Sequence, residues 1–427
     1  MRRVTAIGGI AFALAACMSG TAGAEEQATS FDQRWNLTVA GEARYYSWKG
    51  DRGTPSTSST ARGGGSELYV PFAVQLAGQP TNDLKFSVLG RGGWVEAQQS
   101  TAGLSGKVAT FTDTQVTTNL TYLGLPGFQP FIALSLNLPT GKSVLPGEQA
   151  NARMDPDLVG VSTFGEGFNI GPSAGFSVPL TSTLIVTTSF GYTWRGAFDR
   201  ERSTSQTDPT MQVPTSVDPG DTWTATFGIG YQNGPWTLNL TGTISEETKT
   251  TENGIDLYRA GRRYLGTGTA TYAWPGNWGW TTLTASAAHS NRNAVMYTGA
   301  SQLIKEFFDT NSNLYRVGLQ HLFALGSLTI GPTGSFLYRD NNGYDSTTLQ
   351  FVPAKQRWAA GAELRYAATN KVTLNARFEH VWVREDDRPA AGGRLFSILL
   401  GQFVAGSAVP TLSSDGWMVA GGANITF

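Results

Sequence analysis

Arg44, Arg91, Arg316, Arg357, Arg365 and Arg377 fall on the polar rows of segments in which greasy and polar side chains alternate, with Glu363 and Glu379 among the last of them. A guanidinium stays charged at any working pH and only donates hydrogen bonds. Several on one wetted surface, outnumbering the carboxylates, set up a field that draws anions. The plainer reading is that these charges solvate one another and the water they touch. Alternation alone leaves both readings open.

Hydrolytic chemistry would need a histidine beside a serine, steadied by a third polar group. The chain has three histidines. His289 shares parity with Leu283 and Ala285, His321 with Val317 and Leu319, and His380 with Phe378 and Trp382. All three therefore fall on apolar rows, where an amphipathic ring suits an interface. Ser290, next to His289, faces the other way. No Asp–His cluster, phosphate-cradling glycine loop or metal-ligand spacing occurs. The sequence thus predicts no catalytic residue, no cofactor or nucleotide, and no metal site.

The rows that must position these arginines repeat with the period of a β-strand. About sixteen such segments follow one another, within a range of fourteen to eighteen strands. The first covers 35–48, the fourth 111–123, the fourteenth 357–367, the fifteenth 372–383 and the last 416–427. Seven connections are short and rich in turn residues: 79–83, 126–127, 181–183, 233–235, 275–279, 325–327 and 369–371. Strictly between them lie longer ones, among them 50–67, 139–167, 199–221 and 386–415. Short turns at one end and long loops at the other is the layout of an outer-membrane barrel. The turn at 369–371 sets Glu363 against Arg377 and Arg365 against Asn375, so the expectation is a Glu363–Arg377 pair and a free Arg365 guanidinium.

Residues 1–24 carry the marks of a cleavable export signal: basic Arg2 and Arg3, an apolar run over 7–16, and Ala22-Gly23-Ala24 before the cut. Leu14-Ala15-Ala16-Cys17 also resembles a lipoprotein acylation site, so lipidation of Cys17, the sole cysteine, stays open. Residues 25–34 then form a short periplasmic segment, too small for a plug, ahead of a barrel over 35–427. The formal net charge of −1 becomes −3 without Arg2 and Arg3, and no basic excess points to nucleic acid. At the far end, Trp417, Val419, Gly421, Ala423, Ile425 and Phe427 form one greasy row. It resembles the closing strand of outer-membrane barrels, whose terminal aromatic is read by the barrel-assembly machinery.

Two loop stretches are less polar than solvated loops should be. The segment 395–409 (LFSILLGQFVAGSAV) and the segment 302–308, with Leu303, Ile304, Phe307 and Phe308, are expected to fold into the mouth, with packing on each other above the barrel or contact with a partner protomer as the alternatives. Loop 139–167, third of the long ones, carries Lys142, Glu148, Arg153, Asp155 and Asp157, and only analogy with general porins suggests that it bends inward.

Asp113-Thr114 opens a strand ending in Tyr122-Leu123. Leu136-Asn137-Leu138-Pro139-Thr140-Gly141 runs into a turn, and Phe190-Gly191-Tyr192-Thr193 heads for a rim. On these stretches, residues 111–198 resemble a family of outer-membrane proteins named for the meta-cleavage pathway of phenol degradation. The resemblance implies a barrel aiding uptake of aromatic or other small hydrophobic compounds, without catalytic residues.

The expectation is an all-β, transmembrane, antiparallel up-and-down barrel in the bacterial outer membrane. It would act as a porin-like channel for passive or facilitated diffusion of small solutes, anionic or aromatic. The runner-up is a structural or surface-interaction barrel plugged by its own loops and conducting nothing. Expected partners are outer-membrane lipids, the assembly machinery at Phe427, small-molecule solutes and two further copies in a homotrimer.

Overall fold

A computed structural model of the protein describes residues 35–51, 63–101, 104–203, 212–297, 299–348, 350–389, 394–397, 402–405 and 408–427. The export signal, Cys17 and the 25–34 segment lie outside the described residues, as does part of 395–409.

The strands, in order, are β1 (Trp35–Gly50), β2 (Gly63–Thr81), β3 (Leu84–Thr101) and β4, in two pieces (Leu104–Phe111 and Thr114–Tyr122). Then come β5 (Gln129–Leu138), β6 (Asn169–Pro179), β7 (Leu184–Arg195), β8 (Thr222–Asn233), β9 (Trp236–Glu247) and β10 (Arg263–Ala273). The last six are β11 (Trp280–Ser290), β12 (Leu314–Leu325), β13 (Leu328–Arg339), β14 (Lys355–Ala367), β15 (Val372–Glu385) and β16 (Leu412–Thr426). Both pieces of β4 lie along β3, so the seventeen hydrogen-bonded segments make sixteen strands. Every neighbouring pair is antiparallel, and β16 returns to β1, from Thr38 opposite Thr426 to Gly50 opposite Ser414. The sheet is a closed barrel. Closure gives each strand two partners and leaves no edge of unpaired N–H and C=O groups.

The seven tight connections predicted from turn residues are all present between these strands. At Gly234 and Gly326 the chain adopts φ of 55° and 66°, which a side chain would oppose. The opposite end holds the long connections, except that β3 passes to β4 across residues 102–103 alone because both strands run on past the expected ends. A six-stranded sheet separate from the barrel is built there from Phe198–Ser203, Gln212–Asp218, Lys249–Glu252, Ile255–Arg259, Ala294–Val295 and Ile304–Lys305. Segment 302–308 belongs to this outer sheet and its flank. Phe307 is 65% exposed and meets the Tyr297 ring, while Phe308 meets Tyr344, so both rings pack against other residues of the long connections.

Register fixes which rows face out. Leu37, Phe72, Ile132, Phe190, Phe227, Leu240, Leu319, Phe378 and Val419 all stand on outward rows and are exposed. Such a band would be a liability in water and is the natural surface against hydrocarbon. Aromatic pairs edge it at both ends: Tyr192 with Trp194 toward the long loops, and Trp236 with Tyr272 and Tyr272 with Trp274 toward the short turns. The three histidines are on outward rows as expected. His289 meets Asn313 at 2.6 Å, His321 meets Thr281 at 2.8 Å, and His380 lies against Trp382.

Candidate functional site

The six arginines all lie on inward rows, because each is paired across the sheet with a residue of the inward set. Arg44 is opposite Ala420, Arg91 opposite Ala73 and Gln115, Arg316 opposite Ser286, Arg357 opposite Val383, Arg365 opposite Asn375, and Arg377 opposite Glu363. Five of them sit on the contiguous arc β12–β16–β1, which gathers them on one side of the lumen.

Their side-chain partners differ from the expected ones. Glu363 and Arg377 are opposite in register, but Glu363 accepts from Arg365 two positions along its own strand at 2.6 Å. Its second oxygen accepts from Gln320 Nε2 at 2.7 Å. Glu363 is thus held by Arg365 and Gln320, and Arg377 pairs with Glu379 on its own strand β15. Arg44 repeats the pattern with Glu42 at 2.6 Å. Same-face residues two apart in a strand are about 6.5 Å apart, well within the combined reach of Arg and Glu side chains. The Arg365 guanidinium is therefore occupied. Arg316 is exposed, with no hydrogen bond or ion pair among the described residues. Arg91 is exposed too and donates to Gln115 at 2.8 Å. Arg357 is largely covered, and its Nε finds no acceptor.

What covers that side of the lumen is the third long loop, residues 139–168, which folds into the barrel and packs on its inner wall. Leu145, Ala152, Met154, Leu158, Val159 and Phe164 of the loop form one buried cluster with the inward residues Tyr46, Trp48, Val95, Ala97, Val108, Ala359, Val381 and Val383. Burying each large side chain contributes on the order of 1.5–3 kcal/mol, enough in sum to offset a good share of the entropy lost in ordering the loop. The loop also passes over Arg44: a Cβ on Gly160 would lie 4.0 Å from its Nη1.

Polar clamps fix the loop at three places. The break in β4 at Thr112 and Asp113 turns the Asp113 carboxylate toward the loop's two ends, where it accepts from Gly141 N at 2.9 Å and Glu166 N at 2.7 Å, and from Asn137 Nδ2 at 2.7 Å. The Asp113 N–H donates in turn to Phe164 O at 3.1 Å. Glycine is required at 141, where a Cβ would lie 1.9 Å from that same Phe164 oxygen. Farther along, Gln99 Nε2 donates to Asn151 O and Arg153 O, and Arg153 reaches Glu201 at 2.9 Å. At the tip, Lys355, 1% exposed, is held by Asp155 and by Asp157 at 3.1 Å, and Asp157 also takes Arg339 at 3.1 Å.

Sequence reading flagged Asp155, Asp157 and Arg153 as loop charges and Asp113, Thr114, Thr140 and Gly141 as motif residues, without bringing them together. Lys355 was missed, since the fourteenth segment was begun at 357. A signal was present. Val381-Trp382-Val383 and Trp94-Val95 are apolar on both faces, which a water-lined wall does not need, and Leu145, Met154, Leu158, Val159 and Phe164 are more apolar residues than a solvated loop needs.

Asp113→Ala is expected to release both loop ends together. Hydrogen bonds to a charged acceptor are worth roughly 1.5–3 kcal/mol each, so losing three should make limited proteolysis cut within 142–164, where the parent resists. Equal resistance in both proteins would show that the apolar packing alone holds the loop.

The rest of the lumen is different in kind. Below Arg195, Glu247 and Arg263 at the long-loop end, the inward rows of β7–β11 carry no ionisable residue. They are mainly threonine, serine, asparagine and glycine, with hydroxyl contacts between strands such as Thr271 with Thr282 at 3.1 Å. A charged wall bearing the loop thus faces a hydroxyl wall.

No family model matches the chain, and no curated protein sequence matches it, so the resemblance of 111–198 to the meta-cleavage family has no family match behind it. Among solved structures, the chain is similar to OccAB1 of Acinetobacter baumannii at 9% identity and a TM-score of 0.45, over 92% of this chain and 97% of that one. It is also similar to a mutant of the monoaromatic hydrocarbon channel TodX, at 12% identity and 0.39, over 92% and 90%. An outer-membrane channel of Pseudomonas putida F1 aligns at 14% and 0.37, over 60% of this chain and 88% of that one. Likenesses this loose carry no residue role across, and the barrel is read from its own register.

Proposed function

We propose that the protein is an outer-membrane channel through which small solutes diffuse passively, with loop 139–168 setting its narrowest section. The observation that supports this most is the two-walled lumen: the loop is pinned to the charged side, while the hydroxyl side keeps exposed residues such as Thr284 facing the interior. A sixteen-strand barrel encloses more volume than its own side chains fill. The inward arginines, with Arg316 on the arc and Arg91 on β3 both exposed to the lumen, favour anions. The apolar outer band takes outer-membrane lipids as its surroundings. Phe427, 63% exposed with its N–H bonded to Leu37 O at 2.9 Å, presents the aromatic that assembly machinery would read. A homotrimer is compatible with this reading.

Planar-bilayer recording of the refolded protein tests it. Discrete current steps are expected, with a reversal potential in a salt gradient on the side of anion preference. Silent membranes would mean that the loop plugs the barrel and that the structural reading is the correct one. Steps with cation preference would keep the channel and remove the role of the arginines.

A further inference from the structure

We infer that the solutes this lumen suits are hydroxylated carboxylates of the sugar-acid kind, taken by Arg316 at one end and by the threonine rows of β10 and β11 along their length. This rests on the channel reading above and specifies its substrate class.

Three observations converge on Arg316. It is exposed to the lumen and makes no ion pair among the described residues, whereas Arg44, Arg365 and Arg377 are each held by a glutamate of their own strand. It stands at the seam of the two walls, with Ser286 of β11 as its neighbour on one side and Leu337 of β13 on the other. The hydroxyl wall continues directly from it. Thr284 lies two positions along β11 from Ser286, and Thr267 and Thr269 face these two residues from β10.

Solute chemistry follows from that juxtaposition. A carboxylate fits a guanidinium through two parallel charge-assisted hydrogen bonds. Hydroxyl groups both donate and accept, so a polyhydroxylated tail can trade its water for threonine hydroxyls one at a time as it moves. A hydrocarbon or aromatic tail would strip water from the same hydroxyls and return nothing, at roughly 1–3 kcal/mol for each group left unpaired. A neutral sugar would use the hydroxyl wall and gain nothing from Arg316. Only a solute with both features engages both walls.

The test is block of the chloride current in planar bilayers by sodium gluconate, glucose and sodium benzoate, each added alone. Gluconate is expected to half-block at a concentration several-fold below either of the others, and Arg316→Gln to abolish that advantage. Arg316→Lys, which keeps the charge without the fork, should retain part of it. Gluconate no better than glucose, or benzoate better than gluconate, overturns the substrate class. Gluconate block that survives in Arg316→Gln overturns the assignment to Arg316. Membranes silent before any solute is added fail the channel itself, an outcome separate from the other two.

Discussion

Excising residues 143–163 should raise single-channel conductance several-fold. The loop occupies the lumen beside the charged wall, and its removal returns that cross-section to water and salt. The surgery is mild, because the two ends already touch: a Cβ on Gly165 would lie 2.7 Å from the Gly141 carbonyl carbon. A glycine-serine bridge can therefore join them without pulling on β5 or β6, and Asp113 keeps its bonds to Gly141 and Glu166. The excision does uncover Val95, Val108, Val381 and Val383 to water, at about 25 cal/mol per Å² of apolar surface. The barrel should survive this, since its ladders are continuous around the ring and no strand depends on the loop for a backbone partner. Conductance equal to that of the parent would place the narrow section elsewhere.

The second large effect is expected at Lys355. Truncation to alanine removes the ammonium that holds Asp155, 16% exposed, and Asp157, 8% exposed, and leaves Asp157 to Arg339. Removing one partner of a buried ion cluster costs about 3–5 kcal/mol, because the charges left behind have been stripped of water. The loop tip should come off the wall. Recordings would then show flicker between two conductance levels, and trypsin would reach Arg153. Replacing Lys355 and Arg339 with methionine together with Asp155→Asn and Asp157→Asn removes the four charges as a set and should restore a steady level, because well-packed neutral side chains replace buried pairs at little cost. Steady current in the alanine variant would show that Phe164 and Leu145 hold the loop without the cluster.

The strands were legible because a barrel wall imposes the simplest of periods. Trp35, Leu184, Leu328 and Val372 were each read as strand starts, and each begins a strand. The sixteen-strand ring and its two kinds of connection follow from the same alternation. Side-chain pairing was not legible. Register placed Glu363 opposite Arg377, but whether a glutamate reaches across the ladder or along its own strand depends on what claims its other oxygen, here Gln320 from two strands away. The inward loop was half legible. Its charges were noticed, but their partners Lys355, Arg339 and Glu201 come from elements distant in sequence. Its apolar residues matched inward valines that strict alternation had assigned to water. The strands Phe198–Ser203 and Ile304–Lys305 were read as loop, since segments of six and two residues are too short to show a period.

The seam between β1 and β16 sets Val39 beside Ile425, residues from opposite ends of the described chain. Contacts so remote are slow to form, so the ring shuts last and a nascent chain spends its folding time with two open borders. Once shut, no strand can leave without tearing two ladders together. Persistence of the folded protein should then be governed by a rate, with a steep barrier to opening, and its half-life under heat or detergent will say more about it than any equilibrium midpoint.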